Sequence, residues 1–497
     1  MPPLKVLFVA AEVAPYRKTG GLADVAGALP KALRRRGVDV RVVMPLYQGI
    51  DWNQLERLDG SITVPMWSGS AQCAVRMGVL PGSEVPVYFL EHHRYFDRPF
   101  LYGPPGEAYS DNLERFTFLS RGALELCKAL GFMPDVVHAH DWQTALVPVY
   151  LDTVEWFKPI ASAASVYTIH NLAYQGNFEP GAMFITGLGW EHLHAGEFEH
   201  FGDLNLMKAA VFHGTFVTTV SPNYAREIQS AAHGFGLDGV LAARGADLRG
   251  ILNGIDVDEW NPTRDPLIAA PFSADDLGGK AVCKAALQKE MGLAVSPRVP
   301  LLAAIGRLTA QKGFDVLARA LERILGWDLQ LVLLGAGDAE AERYFSAVAT
   351  HRGDKFRCYI GYNHGLAHRI EAGSDFLIMP SRFEPCGLNQ MYSLCYGTLP
   401  IVRETGGLAD TVAPYDEPTG GGTGFMFRDL DPESVANTVG WALSTYYDRS
   451  AHIESMRRRA MLLDFSWERA AAEYEQLYLD AYQKRAGRPW GGGPRGP

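Results

Sequence analysis

Val6-Leu7-Phe8-Val9-Ala10-Ala11, then Gly20-Gly21, then Leu22, Val25, Ala26, Leu29 and Leu33, form the stretch on which the fold turns. A short continuous apolar run is what a strand buried on both faces requires. The five residues after the glycines recur at helical spacing, and Gly37 stands where a C-terminal cap belongs. Arg34, Arg35 and Arg36 fall in the last turn, where they complement the helix dipole and read as a solvated helix end. Pro30 predicts a kink in that helix. Residues 38–44 supply the next strand, and the whole reads as a β-α-β unit.

The pattern returns after residue 299. Apolar runs at 300–305, 329–334, 356–360, 376–379 and 399–402 alternate with stretches long enough for helices, among them 314–324 and 388–395. Alternating strands and helices predict a parallel sheet covered on both faces. Two such halves predict an α/β chain of two Rossmann-like domains, with ligands at the C-terminal ends of the strands. An internal echo supports the division: Thr19-Gly20-Gly21-Leu22-Ala23-Asp24 recurs letter for letter as Thr405-Gly406-Gly407-Leu408-Ala409-Asp410. Both copies read as Gly-rich loops opening onto helix N-termini. The expected division is residues 1–255, residues 256–464, a final helical segment 465–485, and a Gly/Pro-dense tail 486–497 expected to be disordered.

The length of 497 residues also favours more than one domain. With 46 basic and 56 acidic residues the net charge is -10, so no global attraction to nucleic acid or to anionic lipid is expected. Any phosphate must be held by a few placed cations. Six scattered cysteines without a C-x-x-C pair suggest neither a zinc ribbon nor a disulfide framework, and point to a reducing compartment. The first apolar run is too short for a signal peptide's core, and no run approaches the length of a bilayer span. A soluble, cytoplasmic protein is expected.

Three features suit a departing diphosphate. Lys18 precedes the first Thr-Gly-Gly turn. Arg307 and Lys312 flank a strand-to-helix turn, Gly306-Arg307-Leu308-Thr309-Ala310-Gln311-Lys312-Gly313. Thr405-Gly406-Gly407 offers backbone N–H groups to an anion. Any one of these cations alone reads as a solvated charge; together, at strand ends, they read as a phosphate site. Glu384, in Ser381-Arg382-Phe383-Glu384-Pro385-Cys386-Gly387-Leu388, has two open readings: a ligand for sugar hydroxyls or ring charge, or an acidic residue favoured at a helix N-terminus. His138 and His140, in His138-Ala139-His140-Asp141-Trp142, and His170, in His170-Asn171-Leu172-Ala173-Tyr174, each follow an apolar run. Either group reads by itself as satisfied structural histidines, and no zinc spacing accompanies them. Trp142 and Tyr174 suit sugar stacking or the core. Asp256-Val257-Asp258 is a weak D-x-D signal, and Gly335-Ala336-Gly337-Asp338 lacks the third glycine of a dinucleotide fingerprint.

These strings, together with Thr168-Ile169 before His170, Gln175-Gly176 after Tyr174, and Asn253-Gly254-Ile255-Asp256, closely resemble bacterial glycogen synthases and plant starch synthases (glycosyltransferase family 5). They occur in the family's order along nearly the whole chain. The resemblance implies the GT-B architecture: two facing Rossmann-like domains, the first for the glucan acceptor and the second for the nucleotide sugar, with a C-terminal helix crossing back to the N-terminal domain. It implies retaining transfer of glucose, usually from ADP-glucose, to the non-reducing end of an α-1,4-glucan such as glycogen. No metal or other cofactor is implied.

By matched position, Lys18, Arg307 and Lys312 would meet the diphosphate, while Glu384 and His170 would line the glucose site. Gly20, Gly21, Asp24, Asp141, Asn253, Cys386, Gly387, Leu388, Thr405, Gly406 and Gly407 would complete the substrate site. One departure stands out: the wider superfamily's E-x7-E pattern would place a second glutamate where this chain has Tyr392. That favours a front-face mechanism over one needing two carboxylates from the motif. Rival readings are a related transferase using UDP-glucose, a non-catalytic glucan-binding protein, and a nicotinamide oxidoreductase. The last is disfavoured because neither leading strand is followed by G-x-G-x-x-G.

Overall fold

The apolar runs that open the chain become parallel neighbours. β1 (Lys5–Val9) pairs with β2 (Asp39–Pro45), and α1 (Gly21–Arg35) connects them. Leu22, Val25, Ala26, Leu29 and Leu33 are buried, and the Gly37 N–H caps the helix by donating to the Arg34 carbonyl at 3.0 Å. The expected kink at Pro30 does not interrupt α1: the helix runs unbroken to Arg35 with the proline ring buried against the core. The computed structural model describes residues 2–104, 106–156 and 158–491. It divides into two compact units. The first holds the chain to Val220, Ala225–Gly254 and the chain from Trp467 on; the second holds Ser221–Tyr224 and Ile255–Ser466.

In the first unit the sheet continues with β3 (Pro86–Glu91), β4 (Val136–His140), β5 (Ala164–Ile169), β6 (Phe216–Thr219) and β7 (Leu248–Gly250). Its parallel order is β3-β2-β1-β4-β5-β6-β7. Beyond β3 it ends on antiparallel strands, chiefly Gly69–Val79, which the alternation of apolar runs with helices did not suggest. That strand is half exposed and carries Ser, Gln and Arg among its apolar residues, so it gives no continuous hydrophobic signal.

The second unit contains β8 (Leu301–Ile305), β9 (Gln330–Gly335), β10 (Phe356–Ile360), β11 (Phe376–Met379), β12 (Leu399–Arg403) and β13 (Phe425–Phe427). They are parallel throughout, in the order β10-β9-β8-β11-β12-β13. Among its helices are α2 (Phe314–Leu325), α3 (His364–Gly373), α4 (Asn389–Cys395) and α5 (Gly406–Thr411). Counting the parallel strands within each unit, the first sheet runs 3-2-1-4-5-6-7 and the second 3-2-1-4-5-6, an order that reverses direction beside its first strand and leaves a crevice there. The crevice lies at the ends of β1 and β4 in one unit, and of β8 and β11 in the other.

The terminal helix, Trp467–Ala486, belongs to the first unit and packs on α1. It also supplies partners to the arginine cluster. Arg35 pairs with Glu468, Arg36 with Glu475 at 2.7 Å, and Arg34 with Asp39 at 3.2 Å, so the solvated helix end, with Arg35 and Arg36 exposed, also carries surface ion pairs. Ser221–Tyr224, expected within 1–255, groups with the second unit. The Asn223 N–H donates to Asp410 at 2.8 Å and its side-chain amide to the Gly406 carbonyl at 3.4 Å. Of the tail expected to be disordered, Trp490 packs edge-on against Tyr482 at 4.9 Å, and residues 492–497 lie outside the described residues. Among the described residues no helix is long and apolar enough to cross a membrane.

Candidate active site

The crevice of the second unit is built by three loops drawn together backbone to backbone. β8 ends at Ile305, and the chain turns through Gly306 and Arg307 to a short 3-10 turn, Ala310–Lys312, before α2 begins. Gly313 makes that turn possible: its φ is +72°, and a Cβ there would overlap the Pro380 carbonyl at the end of β11. The close approach delivers Lys312 to Glu384. The ammonium donates to both carboxylate oxygens at 2.8 and 2.6 Å, and the Ser381 hydroxyl donates to one of them at 3.0 Å. Glu384 is 4 % exposed, so its charge is held by an oriented cation instead of water. Arg307 is exposed on the same turn and has no ion-pair partner among the described residues.

The third loop is Thr405-Gly406-Gly407. Gly406 has φ +45°, and side chains on Gly406 and Gly407 would overlap the carbonyls of Glu384 and Cys386. The Gly407 N–H donates to the Glu384 carbonyl at 3.0 Å and the Thr405 N–H to that of Arg403 at 2.9 Å. These two donors, expected to face an anion, are thus engaged within the protein, and the loop serves to clamp the Glu384 segment. The next residues hold the start of α4: the carbonyls of Cys386 and Gly387 accept from the Gln390 amide at 3.1 and 3.0 Å, and that of Leu388 from the Tyr392 N–H at 3.0 Å. Tyr392 lies face to face on Trp260 at 3.8 Å and 10°.

The first unit assembles a different chemistry. Its copy of the glycine loop is exposed, and extra methyl groups on Gly20 or Gly21 would touch nothing within 4 Å. Glu12, a residue the motif reading did not single out, organises this loop. Its buried carboxylate accepts from the Thr19 N–H, from the Thr19 hydroxyl at 2.6 Å, from the Gly20 N–H at 3.3 Å and from the Tyr102 hydroxyl at 2.5 Å. Lys18 is paired with Asp24 at 2.6 Å, with the lysine side chain about half exposed. Such a pair contributes at most about 1 kcal/mol and exchanges readily for another anion.

At the end of β4, Asp141 adopts φ 55° and ψ -178°, a region other residues leave to glycine. The strain places its carboxylate on the N–H groups of His170 at 2.7 Å and Asn171 at 3.5 Å. Desolvation nonetheless pushes the Asp141 carboxyl up to about 7. His170 meets His140 at 3.0 Å, and burial holds its imidazole neutral, pushed down to about 3. His138 is satisfied on both nitrogens, by the Tyr478 hydroxyl at 2.7 Å and the Thr168 hydroxyl at 2.6 Å, which bears out its structural reading. Trp142 is packed against Phe116 at 5.0 Å and against Gly176, whereas Tyr174 is exposed. Asn253 is buried with its amide oxygen lacking a hydrogen-bond partner.

The D-x-D tripeptide is spent on local structure. Asp256 accepts from the N–H groups of Asp258 and Glu259 at 2.9 and 3.1 Å, and Asp258 pairs with Arg264. In Gly335-Ala336-Gly337, side chains on either glycine would strike the backbone of Gly306 or Leu308, so these glycines serve packing.

Known proteins match both halves of the chain. A family model described as the starch synthase catalytic domain matches residues 5–243, and one described as glycosyl transferases group 1 matches residues 293–459. Glycogen synthase 1 of Geobacter sulfurreducens is 53% identical over 488 residues, covering 97% of both chains. This chain belongs to the glycogen synthase family. Glycogen synthase of Treponema denticola is 44% identical, covering 97% of this chain and 99% of that one. Among solved structures, the catalytic domain of starch synthase IV from Arabidopsis thaliana, bound to ADP and acarbose, superposes with a TM-score of 0.88 at 36% identity. It covers 97% of this chain and 100% of that one. Sucrose-phosphate synthase from Thermosynechococcus elongatus, at 18% identity and a TM-score of 0.59, shares the fold. As a member of the glycogen synthase family, the protein is a glucosyltransferase of GT-B architecture.

Proposed function

We propose that the protein elongates an α-1,4-glucan, moving glucose from ADP-glucose to the non-reducing end of glycogen with retention at the anomeric carbon. One observation carries this reading: the oriented Lys312–Glu384 pair stands on the same loops as the unpaired Arg307, at the topological reversal of the second sheet. As the bond to the diphosphate stretches, negative charge gathers on the phosphate oxygens and the sugar ring becomes oxocarbenium-like. Arg307 and Lys312 answer the first charge and the Glu384 carboxylate the second. Within the first unit, Lys18 exchanges Asp24 for phosphate, while neutral His170, Asp141 and Asn253 hold sugar hydroxyls. ADP in the related starch synthase IV structure supports the choice of nucleotide.

Proton transfer is assigned to the substrate itself. At position 392 the side chain is a tyrosine stacked on Trp260, so that position supplies no second carboxylate. The phosphate oxygen leaving the anomeric carbon accepts the proton of the acceptor hydroxyl, whose oxygen forms the new bond on the same face. Side-chain cations fill the electrostatic role, and the reaction needs no metal. Six free cysteines suit work in the reducing cytoplasm.

The test is nucleotide release on incubation with glycogen and either ADP-glucose or UDP-glucose. Faster release from ADP-glucose, with glucan growth, is expected; glycogen binding without release would overturn transfer, and preference for UDP-glucose would overturn the donor. A trapped covalent glucosyl-enzyme would overturn the front-face step, and turnover abolished by a chelator would overturn its metal independence.

A further inference from the structure

We propose that Glu259, His364 and His368 form a binding site for a divalent transition-metal ion, Zn2+ foremost, within the second unit. His364 and His368 stand four residues apart on α3, where that spacing puts two side chains on one face. Glu259 faces them from the turn that follows Asp256. One ligand atom from each of the three lies within 4.8 Å of the others. Glu259 Oε1 is 3.4 Å from His364 Nε2 and 3.9 Å from His368 Nε2. In a tetrahedral zinc site, bond lengths of about 2.0–2.2 Å bring neighbouring donor atoms to roughly 3.3–3.5 Å, so a small closure completes the set.

The surroundings of His368 point to a ligand independently of that spacing. The residue is 1 % exposed, yet its buried Nε2 has no hydrogen-bond partner. A buried polar atom left unpaired is costly unless something occupies its lone pair or proton. Its other nitrogen, Nδ1, meets Asp265 at 2.7 Å, and the same Asp265 oxygen accepts from the Tyr396 hydroxyl at 2.5 Å. A carboxylate on Nδ1 makes that nitrogen the donor and leaves Nε2 a lone pair, the arrangement that orients metal-binding histidines. Trp260 fixes the ring plane by stacking on it at 3.9 Å and 12°. The turn carrying Glu259 is held by the Asp256 carboxylate, which accepts its N–H. The Asp256-Val257-Asp258 signal thus marks a turn that presents a ligand without being the ligand. Two imidazoles and one carboxylate select zinc-like ions over Mg2+ or Ca2+, which prefer oxygen donors. The bound ion would tie this turn to α3.

The inference does not rest on the transfer reaction, and its test reads metal directly. The full chain, stripped with a chelator and desalted, is titrated with Zn2+ against a chromophoric competitor beside Glu259→Gln and His364→Ala. Both residues are exposed, so both variants keep the fold. One Zn2+ per wild-type chain is expected, with affinity at least about tenfold weaker in each variant. Excess Mg2+ should not compete. Zn2+ should raise the thermal midpoint of the wild type and leave that of His364→Ala nearly unmoved. Indistinguishable titrations for the three proteins, or no zinc retained by the wild type, would overturn the site. Nucleotide release from Glu259→Gln should match wild type, which keeps this outcome separate from that of the transfer reaction.

Discussion

The six residues Thr-Gly-Gly-Leu-Ala-Asp occur twice, and the two copies do opposite things. At Thr19-Gly20-Gly21 the loop is exposed, its glycines tolerate extra volume, and a buried glutamate organises its N–H groups from below. At Thr405–Asp410 the loop is buried, Gly406 takes a positive φ, and both glycines press on the backbone of the Glu384 segment. The first copy opens a 15-residue helix; the second opens one of six. Identical letters therefore give an accessible loop in one place and a structural clamp in the other. What surrounds a glycine decides whether its missing side chain leaves room for a ligand or for the protein itself.

The strongest way to break this comparison is alanine at the second copy. Gly406→Ala and Gly407→Ala should each destabilise the protein by about 3 kcal/mol or more, through overlap with carbonyl oxygens and, at Gly406, an unfavourable φ. Urea unfolding measures it, and wild-type midpoints would show that the clamp yields. Next comes the ion pair that the clamp holds. Lys312→Ala should lower turnover about a hundredfold, roughly 3 kcal/mol of transition-state stabilisation, while glycogen binding stays nearly intact. Arg307→Ala should behave alike; equal loss of glycogen binding would assign both residues to the fold.

A third effect separates the two crevices by pH. His170 is pushed down to about 3 in the folded chain, so the unfolded chain binds its proton first. Stability from this group is complete above about 6.5 and is lost as pH falls toward 3, by up to about 1.4 kcal/mol per pH unit. Burial also lowers His138 and His140, in the same direction. Unfolding free energy measured from pH 7 to 4 should therefore fall less steeply in His170→Gln than in wild type; parallel curves would remove His170 from the account. Smaller still, Lys18→Ala should change stability by less than about 1 kcal/mol, since its ion pair is exposed. Its turnover should fall with folding unchanged. Smallest of all is Gly20→Ala, whose extended φ of -153° suits alanine and whose neighbourhood is open. Its unfolding midpoint should match wild type within about 0.5 kcal/mol, and a large loss would erase the contrast between the copies.

The apolar runs were legible because strands buried on both faces write themselves as continuous Val, Leu and Ile. β10 and β11 begin and end where the runs do, β8, β9 and β12 differ by no more than one residue at either end, and the three-residue β13 was not among the runs. The half-exposed strand Gly69–Val79 carries no such signal and stayed invisible. Lys312, Arg307 and Glu384 were legible because each follows a buried strand, and positions after such strands face ligands in this class of sheet. Glu12 was not. It sits at the end of an apolar run like many acidic residues, and only folding brings it under the N–H groups of residues seven and eight places along the chain.

By itself the sequence determined the α/β class, the repeated strand-loop-helix plan and the loops that carry the charge, because burial periodicity and turn chemistry are local properties. Only the tertiary structure decided which charge meets which. It gave Lys312 to Glu384, 72 positions away, tied Tyr478 to His138 across 340, and left the buried Nε2 of His368 without a partner. Pairings across such separations follow from which strands lie side by side, and no stretch of the chain encodes them alone.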